Sequence, residues 1–212
     1  MTAADAAKEL VKYGRYLNQQ GLAPGGSGNL SLKIDDGFLA TPTGCRLAFL
    51  EAEKLSRLDE QGRHVAGDKP TKEIPVHLAF YRAHPECKAV VHLHAPQSMA
   101  LSCLGGLDPE SPLPPLTPYF VMRVGRLGML PYYAPGAAEL AKAVAESACF
   151  DALLLRNHGL LIGGKNLDDA VANAEELEET SRIFLTLPEN RREILSPEQV
   201  ARLEHTYRRK ES

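Results

Sequence analysis

Residues 87–98, CKAVVHLHAPQS, contain the pattern that decides both the fold and the site. The run Ala-Val-Val predicts a buried strand, because small and β-branched apolar side chains are enriched there. His92 and His94 lie two positions apart in the same run. Successive side chains of a strand point to opposite faces, so both imidazoles should project from one face. Such a pair can chelate a divalent metal; the alternative is two core histidines that are hydrogen-bonded separately.

The composition predicts one globular domain over residues 1–212. The chain has 24 basic and 27 acidic residues and a net charge of −3, which argues against a nucleic-acid partner. Its four cysteines form no C-x-x-C pair, so we expect reduced thiols in a cytoplasmic protein. The first residues lack the apolar core of a signal peptide, and no run approaches transmembrane length, so we expect no membrane partner.

Periodicity and turn residues predict an α/β chain in which helices alternate with short strands. The predicted helices cover residues 3–20, 73–83, 97–104, 137–148, 167–187 and 197–207. The predicted strands include 30–34 and 38–41 as one hairpin, two short strands within 55–67, the opening strand, 128–133, and 152–155 with a returning strand. Residues 105–120 are too rich in proline and glycine for regular structure. This order favours a mixed or largely antiparallel sheet that helices cover on both faces.

Two further residues are candidates to complete a metal site. His158 directly follows the apolar strand 152–155 and precedes a glycine, so it can reach a central site; alternatively it is a turn histidine. Glu73 begins the helix that precedes the strand of His92 and His94. Three imidazoles and a dissociable carboxylate leave an open metal position with a base beside it. Composition and spacing alone favour the alternative for Glu73, an ordinary acid in a first helical turn. The other histidines are predicted to be structural or surface residues: His64, His77, His84 and His205.

Three segments resemble phosphate-binding turns. GGSGNLS (25–31) and TPTG (41–44) combine glycine with small hydroxyl and amide side chains, and exposed backbone N–H groups in such turns bind phosphate. Thr71 and Lys72, just before Glu73, add a hydroxyl and a cation. Each segment alone is typical of a plain tight turn. Their number near a candidate metal site makes a phosphorylated ligand worth considering.

The ordered set GGSGNLS, ATPTG, KE at a helix start, VVHLHA and RNHG resembles the class II aldolase/adducin family, from Leu10 to about Leu187. This resemblance implies a three-layer α/β/α fold with a mostly antiparallel central sheet. It implies one zinc ion per subunit, with Mn²⁺ or Co²⁺ as alternatives, held by Glu73, His92, His94 and His158. It also implies a homotetramer with active sites between subunits.

Within that family, the phrases GDKPTKE, VVHLHAPQSMALSCL, LPPLTPYFVMRVG, PYYAPG and AEELEETSRIFL resemble the 3-oxo-tetronate 4-phosphate decarboxylases. The implied reaction is a metal-dependent decarboxylation of that sugar acid to dihydroxyacetone phosphate and CO2 through a metal-stabilised enediolate. The alternatives are a fuculose-phosphate-type aldolase, a pentulose-phosphate epimerase and, outside enzymes, an adducin-like binding module. Fuculose-phosphate aldolases carry two small hydroxyl residues before the glutamate, whereas this chain has Thr71 and Lys72.

The resemblance also suggests roles for individual residues. Glu73 either ligates the metal or moves a proton. Tyr119, in the proline-rich segment, is a candidate acid that reaches a neighbouring subunit's site, although a packing tyrosine fits the sequence equally well. The basic residues Arg208, Arg209 and Lys210 either approach a neighbour's phosphate or form a solvated tail. The residues expected to hold the phosphorylated substrate are Gly28, Asn29, Thr43, Gly44, Thr71 and Lys72.

Overall fold

The computed structural model describes residues 1–207, and its eight strands form one sheet. The strands are β1 (Asn29–Ile34), β2 (Gly37–Ala40), β3 (Ser56–Leu58), β4 (His64–Ala66), β5 (Ala89–Leu93), β6 (Leu127–Leu130), β7 (Ala152–Leu155) and β8 (Gly159–Gly164). Their spatial order is β4-β3-β2-β1-β5-β8-β7-β6. Strands β6 and β7 are parallel and the other neighbouring strands are antiparallel. The prediction of a mostly antiparallel sheet is therefore confirmed.

Helices cover both faces of this sheet, as predicted. They are α1 (Ala3–Gln19), α2 (Ile74–Ala83), α3 (Pro96–Ser102), α4 (Ala138–Ala145), α5 (Leu167–Thr186) and α6 (Pro197–Tyr207). Buried residues of α1, α3 and α5 share one apolar cluster with one side of the sheet. Buried residues of α2 and α4 form a second cluster on the opposite side. The result is the three-layer α/β/α arrangement.

Strand β5 lies at the centre of the sheet. Its successive side chains point to opposite faces, so they belong alternately to the two apolar clusters. Val91 and Leu93 belong to the cluster of α1 and α5, whereas Val90 belongs to the cluster of α2 and α4. His92 is two positions from Val90, so it lies on the side of α2 and α4. All five residues of β5 are buried, which explains why this strand reads as an apolar run interrupted by a histidine.

The remaining elements match their predicted positions, with shifts at the ends. Residues 105–117 contain no helix or strand, as expected, but a short helical stretch that ends in a π-helical turn at Phe120–Val124 follows, and the sequence does not signal it. None of the helices within residues 1–207 is long and apolar enough to cross a membrane. The basic segment Arg208, Arg209 and Lys210 lies outside the described residues. A single domain over residues 1–212 stays a prediction.

Candidate metal and substrate site

Four side chains from three parts of the fold meet on the α2 side of the sheet. Glu73 is the residue that precedes α2, and His92 is the fourth residue of β5. His94 directly follows β5, and His158 lies in the turn between β7 and β8. One potential ligand atom from each residue lies within 4.8 Å of all the others. His94 is half-buried, and the other three side chains are buried.

The distances between these atoms suit a shared ion. His92 Nε2 lies 3.1 Å from His94 Nε2 and 3.3 Å from a Glu73 oxygen. His158 Nε2 lies 3.1 Å from the other Glu73 oxygen. The three imidazole rings are 4.8 to 5.0 Å apart and are inclined to one another by 74° to 78°. Three rings around one point in this way form a tripod, with the carboxylate on the fourth side.

Two atoms of this cluster have no hydrogen-bond partner. They are Glu73 Oε1 and His158 Nε2, which are both buried and lie 3.1 Å apart without the geometry of a hydrogen bond. A buried polar atom without a partner costs free energy of about 1 to 3 kcal/mol. A cation bound between the imidazoles and the carboxylate would satisfy both atoms. The donor set, three imidazole nitrogens and a carboxylate oxygen, therefore fits a divalent metal.

The protonation states of the cluster favour the same conclusion. Burial lowers the pKa of His92 to about 4, and burial also lowers the pKa of His94. Both rings are therefore neutral near pH 7 and keep a lone pair for a metal. Burial raises the pKa of the Glu73 carboxyl, but the neighbouring His158 and His92 rings and the N–H group of the Asn29 amide lower it by more, so the net pKa is below the usual range. Glu73 is thus an anion.

A backbone contact fixes which nitrogen of His92 faces the cluster. His92 Nδ1 lies 2.7 Å from the carbonyl oxygen of Leu160 in the neighbouring strand β8. A carbonyl only accepts, so Nδ1 carries the proton and donates it to Leu160. The lone pair is then on Nε2, which faces His94 and Glu73. A hydrogen bond of this kind also fixes the orientation of a metal-binding ring.

Gly159 allows His158 to approach the end of β5. Its φ is +145°, and a Cβ at this position would lie 2.2 Å from the carbonyl oxygen of Leu93. Glycine alone accommodates both the backbone angle and the close approach. The turn before it is also unusual, because Asn157 has a φ of 55°. Asn157 and Gly159 of RNHG thus suit the path of the chain, and that path brings His158 beside His94.

A cavity of about 270 Å³ opens beside the cluster and contains the predicted substrate-binding residues. Backbone hydrogen bonds hold its loops together: Thr43 N donates to Lys69 O, and Thr71 N donates to Thr41 O. The residues predicted from the sequence that line it are Gly28, Asn29, Thr43, Gly44, Thr71, Lys72, Glu73, His94 and His158. Gly26, Ser27 and Pro42, which lie within the predicted phosphate-binding segments, also line it, as do Cys45 and Pro135, which were not predicted as site residues.

Comparison with known proteins identifies the family of this chain. A model of the class II aldolase and adducin N-terminal domain matches residues 8–185. The chain belongs to the class II aldolase and adducin family. It is 48% identical, over 93% of its own length and 92% of the relative's, to a 3-oxo-tetronate 4-phosphate decarboxylase from Pectobacterium atrosepticum. It is 34% identical, over 84% of its length and 94% of the relative's, to an L-fuculose phosphate aldolase from Methanocaldococcus jannaschii.

A solved structure is similar across the whole fold. The crystal structure of YgbL from Klebsiella pneumoniae, described as an aldolase/epimerase/decarboxylase, has a TM-score of 0.92 against this chain. The two sequences are 46% identical, and the similarity covers 96% of this chain and 99% of that chain. Family membership and the histidine–glutamate cluster together indicate a lyase that depends on a divalent metal.

Tyr119 lies apart from this cavity. It is 59% exposed and lines a different groove, together with Met122, Arg123 and Asp168. It is the residue before the π-helical turn, so its place on the surface follows from the end of the proline-rich segment. The chain's own site does not include its hydroxyl. The role of Tyr119 as a catalytic acid stays a prediction.

His77 is the residue of this site that the sequence did not reveal. It was predicted only to be a structural or surface residue; its ring is buried and contacts Asn29 and Ser31. A signal was available in the spacing. Glu73 and His77 are four residues apart at one helix face, and Asn29 and Ser31 are two apart on one strand face. Contacts between the helix and the strand join the two pairs of residues. These contacts link segments that are distant in the sequence, so residue spacing does not predict them.

Proposed function

We propose that this protein decarboxylates 3-oxo-tetronate 4-phosphate to dihydroxyacetone phosphate and CO2. The observation that carries the proposal is its similarity to decarboxylases of this name over nearly the whole chain, combined with the intact cluster of three histidines and a glutamate. The L-fuculose phosphate aldolases, the second candidate, are more distant relatives. An adducin-like binding module without catalysis would have no need of the buried, unpaired atoms of this cluster.

The reaction requires one bond to break and one to form. The bond between C1 and C2 of the substrate breaks, CO2 leaves, and the electron pair stays on C2. The adjacent C3 ketone accepts this pair by delocalisation, giving an enediolate, and a proton then adds to C2. A bound divalent metal supplies Lewis-acid stabilisation of the negative charge that develops on the substrate oxygens.

Zinc is the metal we expect. The proposed ligands are His92, His94, His158 and Glu73, and three imidazoles with one carboxylate suit Zn²⁺. Mn²⁺ and Co²⁺ accept the same ligands. The tripod of imidazoles leaves the side toward the cavity open to substrate oxygens. Glu73 has one oxygen held by Asn29 and the other unpaired, so it can ligate, or accept and return a proton.

The substrate phosphate is expected at the far end of the cavity from the histidines. The backbone of Gly28 and Gly44 and the side chains of Thr43, Thr71 and Lys72 offer N–H groups, hydroxyls and an ammonium. Asn29 lines the same cavity, but its amide donates to Glu73. We therefore assign Asn29 first to the glutamate, and we assign the phosphate chiefly to the other five residues.

We further propose a cytoplasmic homotetramer. The exposed Tyr119 lies in a separate groove, and family members combine residues of two subunits in one site according to the resemblance described above. A neighbouring subunit would then supply the Tyr119 hydroxyl as an acid that protonates C2. The substrate is a phosphorylated sugar acid, and neither nucleic acid nor a membrane surface is expected as a partner.

Product analysis tests the reaction. The metal-loaded protein is incubated separately with 3-oxo-tetronate 4-phosphate and with L-fuculose 1-phosphate. We expect CO2 and dihydroxyacetone phosphate in equal amounts from the first compound and no aldehyde from the second. Aldehyde release from the sugar phosphate without CO2 release from the acid would assign the protein to the aldolases. A protein that His92→Ala leaves equally active would not be a metal enzyme of this kind.

A further inference from the structure

A row of buried polar side chains connects the metal cluster to the layer between β1 and α2. Asn29 Nδ2 lies 2.7 Å from Glu73 Oε2, and Asn29 Oδ1 lies 2.5 Å from His77 Nε2. His77 Nδ1 lies 2.7 Å from the Ser31 hydroxyl. All four side chains are buried. The contacts of His77 with Asn29 and Ser31 have no part in the reaction described above, and His77 does not line the cavity.

The direction of each hydrogen bond in this row follows from the charge of Glu73. A carboxylate only accepts, so the amide nitrogen of Asn29 must face it and the amide oxygen must face His77. That oxygen also only accepts, so His77 Nε2 must carry the ring proton. His77 Nδ1 is then unprotonated and accepts from the Ser31 hydroxyl. Burial lowers the pKa of His77 to about 3, in agreement with a neutral ring that has a single proton.

This arrangement prevents a rotation that would release Glu73. An asparagine amide can turn by half a circle and exchange its oxygen and nitrogen. If Asn29 turned, its oxygen would face the Glu73 carboxylate and its N–H group would face the N–H group of His77. Both contacts would be repulsive. Because the carboxylate of Glu73 requires the amide N–H and the Nε2–H of His77 donates to the amide oxygen, the amide has one favourable orientation, and Glu73 Oε2 has a permanent donor.

We propose that His77 is a positioning residue that fixes the metal-binding carboxylate through Asn29. Asn29 holds Oε2 of Glu73, and the unpaired Oε1 is thereby left for the metal. The Ser31 hydroxyl donates to His77 Nδ1 in this tautomer and so supports the same arrangement. The inference rests on the proposed function, because it requires that Glu73 binds a metal in the working enzyme.

Co²⁺ binding to the metal-free protein tests this inference without substrate. Affinity is measured from the visible absorption of bound Co²⁺ in competition with a chelator. His77→Leu should weaken binding by about tenfold or more, as loss of a partner behind a metal ligand typically does. His77→Gln should keep most of the affinity, because its amide N–H can still donate to Asn29. His84→Leu makes the same change in a buried histidine of the same helix region, whose ring packs on Phe80, and should leave affinity unchanged.

The outcomes separate a positioning role from a structural one. Equal Co²⁺ affinity of wild type and His77→Leu would overturn the inference, as would equal losses in His77→Gln and His77→Leu. Wild-type protein that binds no Co²⁺ would overturn the metal function and this inference together. If His77→Leu does not fold, Ser31→Ala decides. It removes only a hydroxyl and should also weaken Co²⁺ binding, and unchanged affinity in that variant would contradict the inference.

Discussion

Lys72 brings an ammonium group into the cavity beside the metal cluster. Fuculose-phosphate aldolases have a small hydroxyl residue at the position that corresponds to Lys72. The ammonium group of Lys72 can instead form an ion pair with the phosphate of the substrate. A hydrogen bond to a charged group contributes about 1.5 to 3 kcal/mol. We therefore expect Lys72→Met to lower kcat/KM by about tenfold to a hundredfold, since about 1.4 kcal/mol corresponds to tenfold. Steady-state kinetics with the phosphorylated acid measure this.

The neighbouring Lys69 provides the control for this prediction. It is exposed and does not line the cavity, although it belongs to the same loop. Lys69→Met should leave kcat/KM unchanged. A similar loss in both variants would mean that the general charge of the loop, and not contact of Lys72 with the phosphate, promotes binding.

Among single residues, the sequence predicts those whose partners are local. His92 and His94 follow from strand alternation, and no more than a two-residue spacing is needed. Glu73 and His158 are 85 residues apart in the sequence. Spacing alone therefore predicts only an acid at a helix start and a histidine in a turn. The family motifs supply their connection. His77 was missed because its partners Asn29 and Ser31 come from another strand.

At the scale of elements, Glu178 joins α5 to the start of α3. Its two carboxylate oxygens accept from the backbone N–H groups of Gln97 and Ser98, at 2.7 and 2.8 Å. These N–H groups have no partner inside the helix, because they belong to its first turn. The contact also fixes the chain directly after His94. Glu178 thus stabilises the helix that follows the metal-binding strand.

Replacement of Glu178 should reduce stability. Glu178→Ala leaves two N–H groups near the core without an acceptor, and we expect a decrease of about 1 to 3 kcal/mol in the free energy of unfolding. Denaturant titration measures the change. Glu179→Ala removes an exposed carboxylate that pairs with Arg182 and should cost at most about 1 kcal/mol. If the two variants were equally stable, the capping role of Glu178 would be refuted.

Replacement of Gly159 should reduce both stability and metal binding. In Gly159→Ala the new methyl group would meet the Leu93 carbonyl in a backbone conformation that L-residues avoid, which costs about 1 to 3 kcal/mol from strain alone. We expect lower stability and weaker metal binding, since His158 precedes the site of the clash. Thermal unfolding and metal content report the two effects. Gly105→Ala has open space around the new Cβ and should match the wild type.

Most elements were predictable because their signals are local. The period of β5 and the hairpin of β1 and β2 are read from adjacent residues, and the predicted and observed helices differ mainly at their ends. The π-helical turn at Phe120–Val124 has no such signal, since it ends a proline-rich stretch in which periodicity is lost. The order of the strands depends on long-range pairing, and neither the pattern of residues nor the family resemblance predicted it.

At the scale of the whole molecule, the proposed tetramer shares each site between two subunits. Neither Tyr119→Phe nor His92→Ala alone should be active, but mixed tetramers should recover activity. In randomly exchanged tetramers, about one site in four should combine an intact histidine cluster with an intact Tyr119 from its neighbour. Recovery to about a quarter of wild-type activity is therefore the expected result. Light scattering establishes the mass of the exchanged particles.

A matched mixture controls for this effect. His92→Ala and His158→Ala affect the same half of the site, so their mixture should remain inactive. Activity in that mixture, or none in the mixture of Tyr119→Phe and His92→Ala after complete exchange, would contradict a shared site. Full activity of Tyr119→Phe alone would remove Tyr119 from the reaction.

The central claim is that this protein breaks the bond between C1 and C2 of a phosphorylated oxo acid with the aid of a metal. The most direct measurement follows 3-oxo-tetronate 4-phosphate labelled with ¹³C at C1, by NMR, with metal-loaded and chelator-treated protein. We expect that all the label leaves as ¹³CO2 with the loaded protein, that release stops after chelation, and that added Zn²⁺ restores it. Label retained in an organic product, or release that continues unchanged without metal, would contradict it.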